Sequence, residues 1–336
     1  QREARGDKPE MSFATESWMG DLSASISGRT LHELRIPGSH NSGSDVLGSS
    51  VAPGKPQVYA AVPCIIRGWS ECQVECVLEQ LRAGCRYIDL RTAAVKGKLG
   101  LRIVHGLVGR PVLDVLEQVS TFLAASPQEV VVLDFQHFYD VTQAEQATLL
   151  GQCLELFSAA GVIPPAKAKT ATLAELWAAK TRVLLLWGDA QFAPSRPDVL
   201  CPRPSSILSP WAGDGYTQNA RSRRKFRRIL EVFMAEDAED DARLRVLQTV
   251  SGPNVTMVIA GLLLGCGALS NLKSHGRAMN KDLERWLRGA WRVGLEDGTL
   301  SVNIVLLDFV NLCGSLVDAV IRLNLGPVAP LAHEKG

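Results

Sequence analysis

The chain has 336 residues, 46% of them hydrophobic, with 36 Lys and Arg against 35 Asp and Glu and a formal charge of +1 when His is neutral. That length allows one large domain or two ordinary ones around a substantial core. The balanced charge argues against a nucleic-acid partner gripped over the whole surface. The longest apolar stretch, 255–269, is too short and too broken by glycine to span a bilayer, so no transmembrane segment is expected.

In chain order, residues 1–10 are polar and lack the apolar segment of a signal peptide. Residues 1–20 are expected to form a flexible leader, 21–325 one folded unit and 326–336 a tail. The eight cysteines then read as free thiols of a reducing compartment, which predicts a cytoplasmic or nuclear protein with at most peripheral membrane contact. Cys72 and Cys76 could share one helix face, but no second ligand pair accompanies them, and they read as core or half-buried thiols.

Residues 31–36 read as a strand ending at the Pro37-Gly38 turn. The Gly-, Ser- and Pro-rich stretch 43–63 reads as a loop. Residues 70–83 have helical spacing, with Val74, Val77, Leu78 and Leu81 on one side and Gly84 as the stop. Strands are expected at 86–91 and 101–104, then an amphipathic helix at 112–125. The strand at 129–135 is apolar on both faces, as a buried parallel strand is. A helix at 144–156, strands at 182–187 and 243–250, a helix at 281–293, a strand at 302–307 and a closing helix at 315–323 complete the pattern.

Strands that alternate with helices predict an α/β fold with parallel pairing and right-handed crossovers. About seven strands approach a full (β/α) barrel of the TIM type. An open doubly wound sheet fits less well, because no Gly-rich phosphate turn follows the first strand.

In such a barrel chemistry sits at the carboxyl ends of the strands. His40, Asp89, Arg91, His105, Gln136, His137, Asp189 and Asp308 all fall at or just beyond expected strand ends. A single His after a strand is usually structural, but His40 sits in a tight Gly-Ser turn and His105 precedes Gly106, which admits a close neighbour. His137 lies among Phe135, Phe138 and Tyr139 and reads as structural; His32, His275 and His333 read as ordinary. Asp89 could simply pair with Arg91, and Asp308 could cap the segment that follows. One imidazole can take a proton while the other gives one, and a guanidinium fork suits phosphate oxygens. That is equipment for cleaving a phosphodiester without a metal. The basic run 221–228 reads first as a solvated helix face and second as a contact for an anionic membrane. Nucleic acid is disfavoured there, since Phe226 is its one aromatic residue.

These residues resemble the X-domain of phosphatidylinositol-specific phospholipases C, and in particular its small eukaryotic members. The likeness rests on Pro37-Gly38-Ser39-His40, the 80–91 stretch ending Arg86-Tyr87-Ile88-Asp89-Leu90-Arg91, Val104-His105-Gly106, the 127–135 stretch and the late Asp308-Phe309, in family order. The resemblance implies a (β/α) barrel, often distorted or incompletely closed. It implies attack of the inositol 2-hydroxyl on phosphorus, giving diacylglycerol and an inositol cyclic phosphate. By matching motif, His40 is then the general base, Asp308 its orienting partner and His105 the general acid. Arg91 binds the phosphoryl oxygens and Asp89 positions Arg91 or the 2-hydroxyl. Calcium-dependent members carry an acid where Arg91 stands, so no metal and no cofactor are expected, and the partner is a phosphoinositide at a membrane surface. Two positions depart from the pattern. Asn41 stands where metal-independent relatives often carry an Asp that supports the general acid. Gln136 is the second: near this point bacterial members carry a basic residue that helps hold inositol, and Gln offers hydrogen bonds but no charge. Both are expected to contact substrate, and both motivate a second expectation, a weak or inactive phosphoinositide-binding scaffold. A metal-dependent glycerophosphodiesterase ranks third, because the chain has His-Asn rather than His-Arg in the early turn.

Overall fold

The computed structural model describes residues 13–210, 243–250, 252, 271–287 and 302–326. Its strands are β1 (Ile36–Ser39), β2 (Leu47–Val51), β3 (Tyr87–Ala93), β4 (Arg102–His105), β5 (Leu107–Pro111), β6 (Val131–Tyr139), β7 (Val183–Trp187), β8 (Cys201–Pro202), β9 (Ile207–Leu208), β10 (Leu244–Gln248) and β11 (Ile304–Leu307). Eight of them run parallel in the order β8-β7-β6-β3-β1-β11-β10-β9. This is chain order around a ring, with one seam: among the described residues no ladder joins β8 to β9, and the short helix Arg203–Ser206 lies between them. The expected (β/α) barrel is present and incompletely closed.

Partners in a parallel ladder share a face, so register fixes what lines the barrel. Gly38 pairs with Tyr87 and Leu306, Asp89 with Asp134, and Gln248 with Leu306. A Cβ on Gly38 would stand 2.9 Å from Tyr87 Cδ1 and 3.1 Å from an Ile304 methyl, so β1 carries glycine where the Tyr87 ring crosses the interior. The outward faces of β6 and β7 are also buried, because helices cover them. Two of these helices, Gln143–Leu156 and Leu173–Ala178, open with capping boxes, Thr142 with Glu145 and Thr172 with Glu175.

The helix at 112–125 has the expected bounds, and its stripe of Val112, Val115, Leu116, Val119, Phe122 and Leu123 is buried. Elsewhere local chemistry overrides the expectation. Residues 31–33 form a 3-10 turn instead of strand, because Thr30 and Glu33 cap one another. The expected helix at 70–83 is two helices, Pro63–Ser70 and Val77–Arg82. The link between them is tied to the strand ends: Cys72 N donates to Ser44 Oγ, and Gln73 Nε2 donates to the carbonyls of His40 and Leu307. The expected loop 43–63 contains β2, which pairs antiparallel with β5. The strand at 101–104 is not a parallel barrel strand: β4 folds back antiparallel on β3 and pairs with β5 as a hairpin.

The expected leader boundary at residue 21 falls inside packed structure. Trp18 and Met19 are fully buried, and Trp18 Nε1 donates to the Gly84 carbonyl at 3.0 Å. Arg86 donates to the carbonyls of Thr15 and Glu16 and pairs at 2.6 Å with Glu129, tying this segment to the amino ends of β3 and β6. The basic run 221–228, the apolar stretch 255–269, residues 288–293 of the expected late helix and His333 lie outside the described residues.

Candidate active site

The carboxyl ends of β1, β3 and β11 meet the β4 hairpin at one point. His40 follows β1 directly and Asp308 follows β11. Because β1 and β11 are in register through Ser39 and Leu307, the next residues, His40 and Asp308, stand side by side. Their contact is His40 Nδ1 to Asp308 Oδ1 at 2.7 Å, with both side chains buried. Phe309 takes a left-handed conformation with φ 54°, and its N–H donates to the Cys72 carbonyl at 2.8 Å. Asn280, from the helix Leu272–Leu287, donates to the Asp308 carbonyl at 2.8 Å. These two bonds fix the peptide unit that follows the carboxylate-bearing residue.

The other ring nitrogen of His40 faces two donors. Arg91 NH2 lies 3.1 Å from Nε2, and Asn41 Nδ2 lies 2.9 Å from it. A guanidinium can only donate. Nε2 is therefore the lone-pair nitrogen and Nδ1 carries the proton that goes to Asp308. This also sets the Asn41 amide with its nitrogen toward the ring. Arg91 stands 3.7 Å from Asp89, its side chain is 18% exposed, and its Nε makes no hydrogen bond among the described residues. It keeps donors to spare. Burial alone would raise the Asp89 carboxyl, but Arg91, His40 and the Asn41 N–H (3.0 Å) outweigh it and hold the pKa below the ordinary value.

His105 ends β4 and reaches the site because the hairpin runs back along β3, with Ala93 opposite Arg102 and Thr92 opposite Ile103. Its ring centroid is 6.1 Å from that of His40, at an interplanar angle of 73°. Its Nδ1 donates at 2.7 Å to the carbonyl of Ser70, the last residue of its helix. Gly106, at φ +69°, allows this approach: a Cβ there would stand 2.5 Å from Ser70 Oγ. Burial, then the nearby Arg91 and His40, push the His105 pKa down to about 3, against the pull of the Ser70 carbonyl. The ring is neutral at neutral pH.

That shift has a stability consequence with a definite sign. Between about 3 and the ordinary 6.5 the unfolded chain binds the proton and the folded chain does not. Stability from this residue is therefore complete above 6.5 and is lost as pH falls toward 3. Urea midpoints at pH 7 and pH 5 are expected to differ less for His105→Gln than for wild type; equal differences would contradict a depressed His105.

Five expected residues, His40, Asp89, Arg91, His105 and Asp308, thus converge. Asn41 belongs to the cluster but not as expected: its amide contacts His40 and, at 3.4 Å, the Cys72 thiol, rather than His105. The reason is its left-handed backbone, φ 44°, which turns the side chain back over the preceding ring. Gln136 sits half-buried at the β3–β6 bulge between Leu90 and Arg91, with no side-chain hydrogen bond to the cluster. Not every residue expected at a strand end joins the cluster. His137 packs against Tyr139, and Asp189 is taken up by Gln146 and by the N–H groups of Gln191 and Phe192. Two groups escaped sequence reasoning. Cys72 Sγ, fully buried, lies 3.7 Å from His105 Nδ1, and burial with Asp308 holds it well above the ordinary thiol range. On the neighbouring strand, in register with Asp89, Asp134 accepts from Tyr87 Oη at 2.5 Å and from Arg203 Nε at 2.9 and 3.0 Å. Arg203, from the seam, stands in no sequence pattern that marks it.

Comparison with known proteins puts a family on this constellation. The family model for the phosphatidylinositol-specific phospholipase C X domain matches residues 65–187. PI-PLC X domain-containing protein 2 of Mus musculus is 31% identical over 95% of this chain and 90% of its own, and PI-PLC X domain-containing protein 3 of Danio rerio is 31% identical over 94% and 95%. The chain belongs to the PI-PLC X domain family. A variant-surface-glycoprotein phospholipase C of Trypanosoma cruzi is 28% identical over 88% of this chain and 85% of its own. Among solved structures, the phosphatidylinositol-specific phospholipase C of Listeria monocytogenes superposes with TM-score 0.60 at 17% identity, over 93% of this chain and 99% of that one. A point mutant of the phosphatidylinositol-specific phospholipase C from Staphylococcus aureus gives 0.60 at 14%, over 93% and 98%. At that identity they share the fold, the open barrel of this PI-PLC X domain.

Proposed function

We propose that this PI-PLC X domain protein is a phosphoric diester hydrolase of the phospholipase C type that cleaves a phosphoinositide without a metal. The observation that carries the reading is the His40 ring, anchored at Nδ1 by Asp308 with its lone-pair Nε2 beside Arg91. The inositol 2-hydroxyl gives its proton to Nε2 while its oxygen forms a bond to phosphorus. Asp308 stabilises the imidazolium that results. Arg91 turns its uncommitted donors to the non-bridging oxygens, where negative charge develops. The bond from phosphorus to the diacylglycerol oxygen breaks, and that oxygen takes a proton from His105. The products are diacylglycerol and an inositol cyclic phosphate, and hydrolysis of the ring reverses the two proton roles. Asp89 holds Arg91 and the Asn41 N–H in place.

His105 needs a second proton to act as the acid. The resting site withholds it, whereas a bound phosphodiester adds a negative charge that offsets Arg91. Proton donation is therefore tied to substrate occupancy. The same observation favours the second reading, a weakly active phosphoinositide-binding protein. Substrate is met at a membrane surface by peripheral contact, as the membership in a phosphatidylinositol-specific phospholipase C family supports; no described helix is long and apolar enough to cross a bilayer.

The test is a time course with labelled phosphatidylinositol in vesicles, with and without chelator. Head-group release in proportion to protein, undiminished by chelator, is expected. Lipid binding with no release at any protein concentration leaves only the second reading, and loss of release with chelator ends metal independence.

A further inference from the structure

Two segments, 46–70 and 94–111, carry Lys55, Arg67, Lys96, Lys98, Arg102 and Arg110 and no Asp or Glu, in a chain whose formal charge is only +1. The fold joins them, because β2 pairs antiparallel with β5 and β5 with β4. The same segments hold Val46, Val58, Val62 and Leu99, four of the five large apolar side chains exposed among the described residues, and Leu99 is 97% exposed. The turn from β3 to β4 carries Lys96, Lys98 and Leu99 and projects beyond the carboxyl end of β3, on the side of the barrel that holds the His40 site. Between β2 and the β4–β5 hairpin lies a cavity of about 300 Å³ whose lining includes Val46, Ser49, Lys98, Arg102 and Arg110. Arg102 Nε donates to the Gly109 carbonyl at 3.1 Å, and Arg110 pairs with Asp45, so three cations meet one acid. Arg110 Nε is buried and makes no hydrogen bond among the described residues.

We propose that this cavity takes the phosphate of an anionic phospholipid headgroup, while Leu99 and Val46 enter the membrane interface beside it. Basic side chains at an anionic surface and apolar ones in its interface add their attractions. A free anion would use Lys98 and Arg102 but leave Leu99 and Val46 in water; a lipid satisfies both. The lining shares no residue with the cluster of His40, Arg91 and His105, so the lipid seated here is not the one cleaved. The inference rests on the function proposed above only for its purpose: docking by this face turns the carboxyl ends of the strands, and the site on them, toward the membrane.

The experiment sediments the full chain with vesicles of phosphatidylcholine, with and without phosphatidylserine, a lipid that has no inositol to cleave. Wild type is expected to need phosphatidylserine and to bind less with added salt. Lys98→Gln is expected to weaken binding about 5-fold and Lys98→Gln with Arg102→Gln about 25-fold, from the attraction each basic residue adds near the surface. Leu99→Ser is expected to lose about 10-fold, from the apolar area it no longer buries. Lys98 and Leu99 are exposed, so their replacement leaves the core intact. Lys167→Gln with Lys169→Gln, the same charge lost outside these segments, is expected to bind as wild type does. Wild-type binding by the Lys98 and Arg102 double variant, equal loss in the Lys167 and Lys169 control, or a wild type that takes up inorganic phosphate through Arg102 but ignores the vesicles overturns the proposal. Phosphatidylserine binding that follows the expected pattern, without head-group release from phosphatidylinositol, sinks the proposed function and leaves the docking face standing.

Discussion

His40→Ala protein is expected to release inositol head group about 10²- to 10⁴-fold more slowly than wild type, the range removed with a positioned acid–base group. The substitution takes away the nitrogen whose lone pair stands beside the guanidinium, since Asp308 holds the proton on Nδ1 and Arg91 donates toward Nε2. It leaves the backbone anchors alone: the His40 carbonyl still accepts from Gln73, and its N–H still donates to the Leu307 carbonyl. The fold is therefore retained, which far-ultraviolet circular dichroism checks alongside release. Wild-type rates from folded His40→Ala protein would exclude His40 as the base.

The second large effect belongs to Arg91. Arg91→Gln is expected to lower turnover by about 10²- to 10³-fold, the loss seen when a donor to a developing oxyanion is removed. Arg91→Lys recovers only part of it, because an ammonium keeps the charge but not the planar fork. A second readout separates this role from packing. Arg91 is, after burial, the largest influence depressing the His105 pKa, so its loss raises that pKa. Titration of the His105 ring protons by NMR is expected to move upward in Arg91→Gln and to stay near its wild-type position in Arg91→Lys. No change of titration in Arg91→Gln would mean that the guanidinium does not bear on the proton donor.

Much of the site was legible in the sequence because barrel chemistry concentrates where strands end, and His40, Arg91 and Asp308 stand at such ends. Strong local periodicity carried the helix at 112–125 and the wholly apolar strand β7 in the same way. Misread segments are those where side chains reach across the chain. The Thr30–Glu33 cap turned an apolar pattern into a 3-10 turn, and Gln73 broke a helical pattern by reaching the carbonyls of His40 and Leu307. His105 reaches the cluster on a hairpin rather than on the parallel strand that alternation of strands and helices predicts. Cys72 looked like an ordinary core thiol because nothing local marks a sulfur that meets His105 only through the fold. The resemblance links position 41 to the acid, whereas the left-handed backbone of Asn41, which its neighbours in sequence do not reveal, goes with an amide that contacts His40.

The central claim is that His40 and His105 exchange protons with a phosphodiester held by Arg91. Its most direct measurement is phosphorus NMR of the products formed from phosphatidylinositol in chelator. An inositol cyclic phosphate that appears before any monoester, and that is absent with His40→Ala, is the predicted result. A monoester formed first, with no cyclic intermediate, would contradict it.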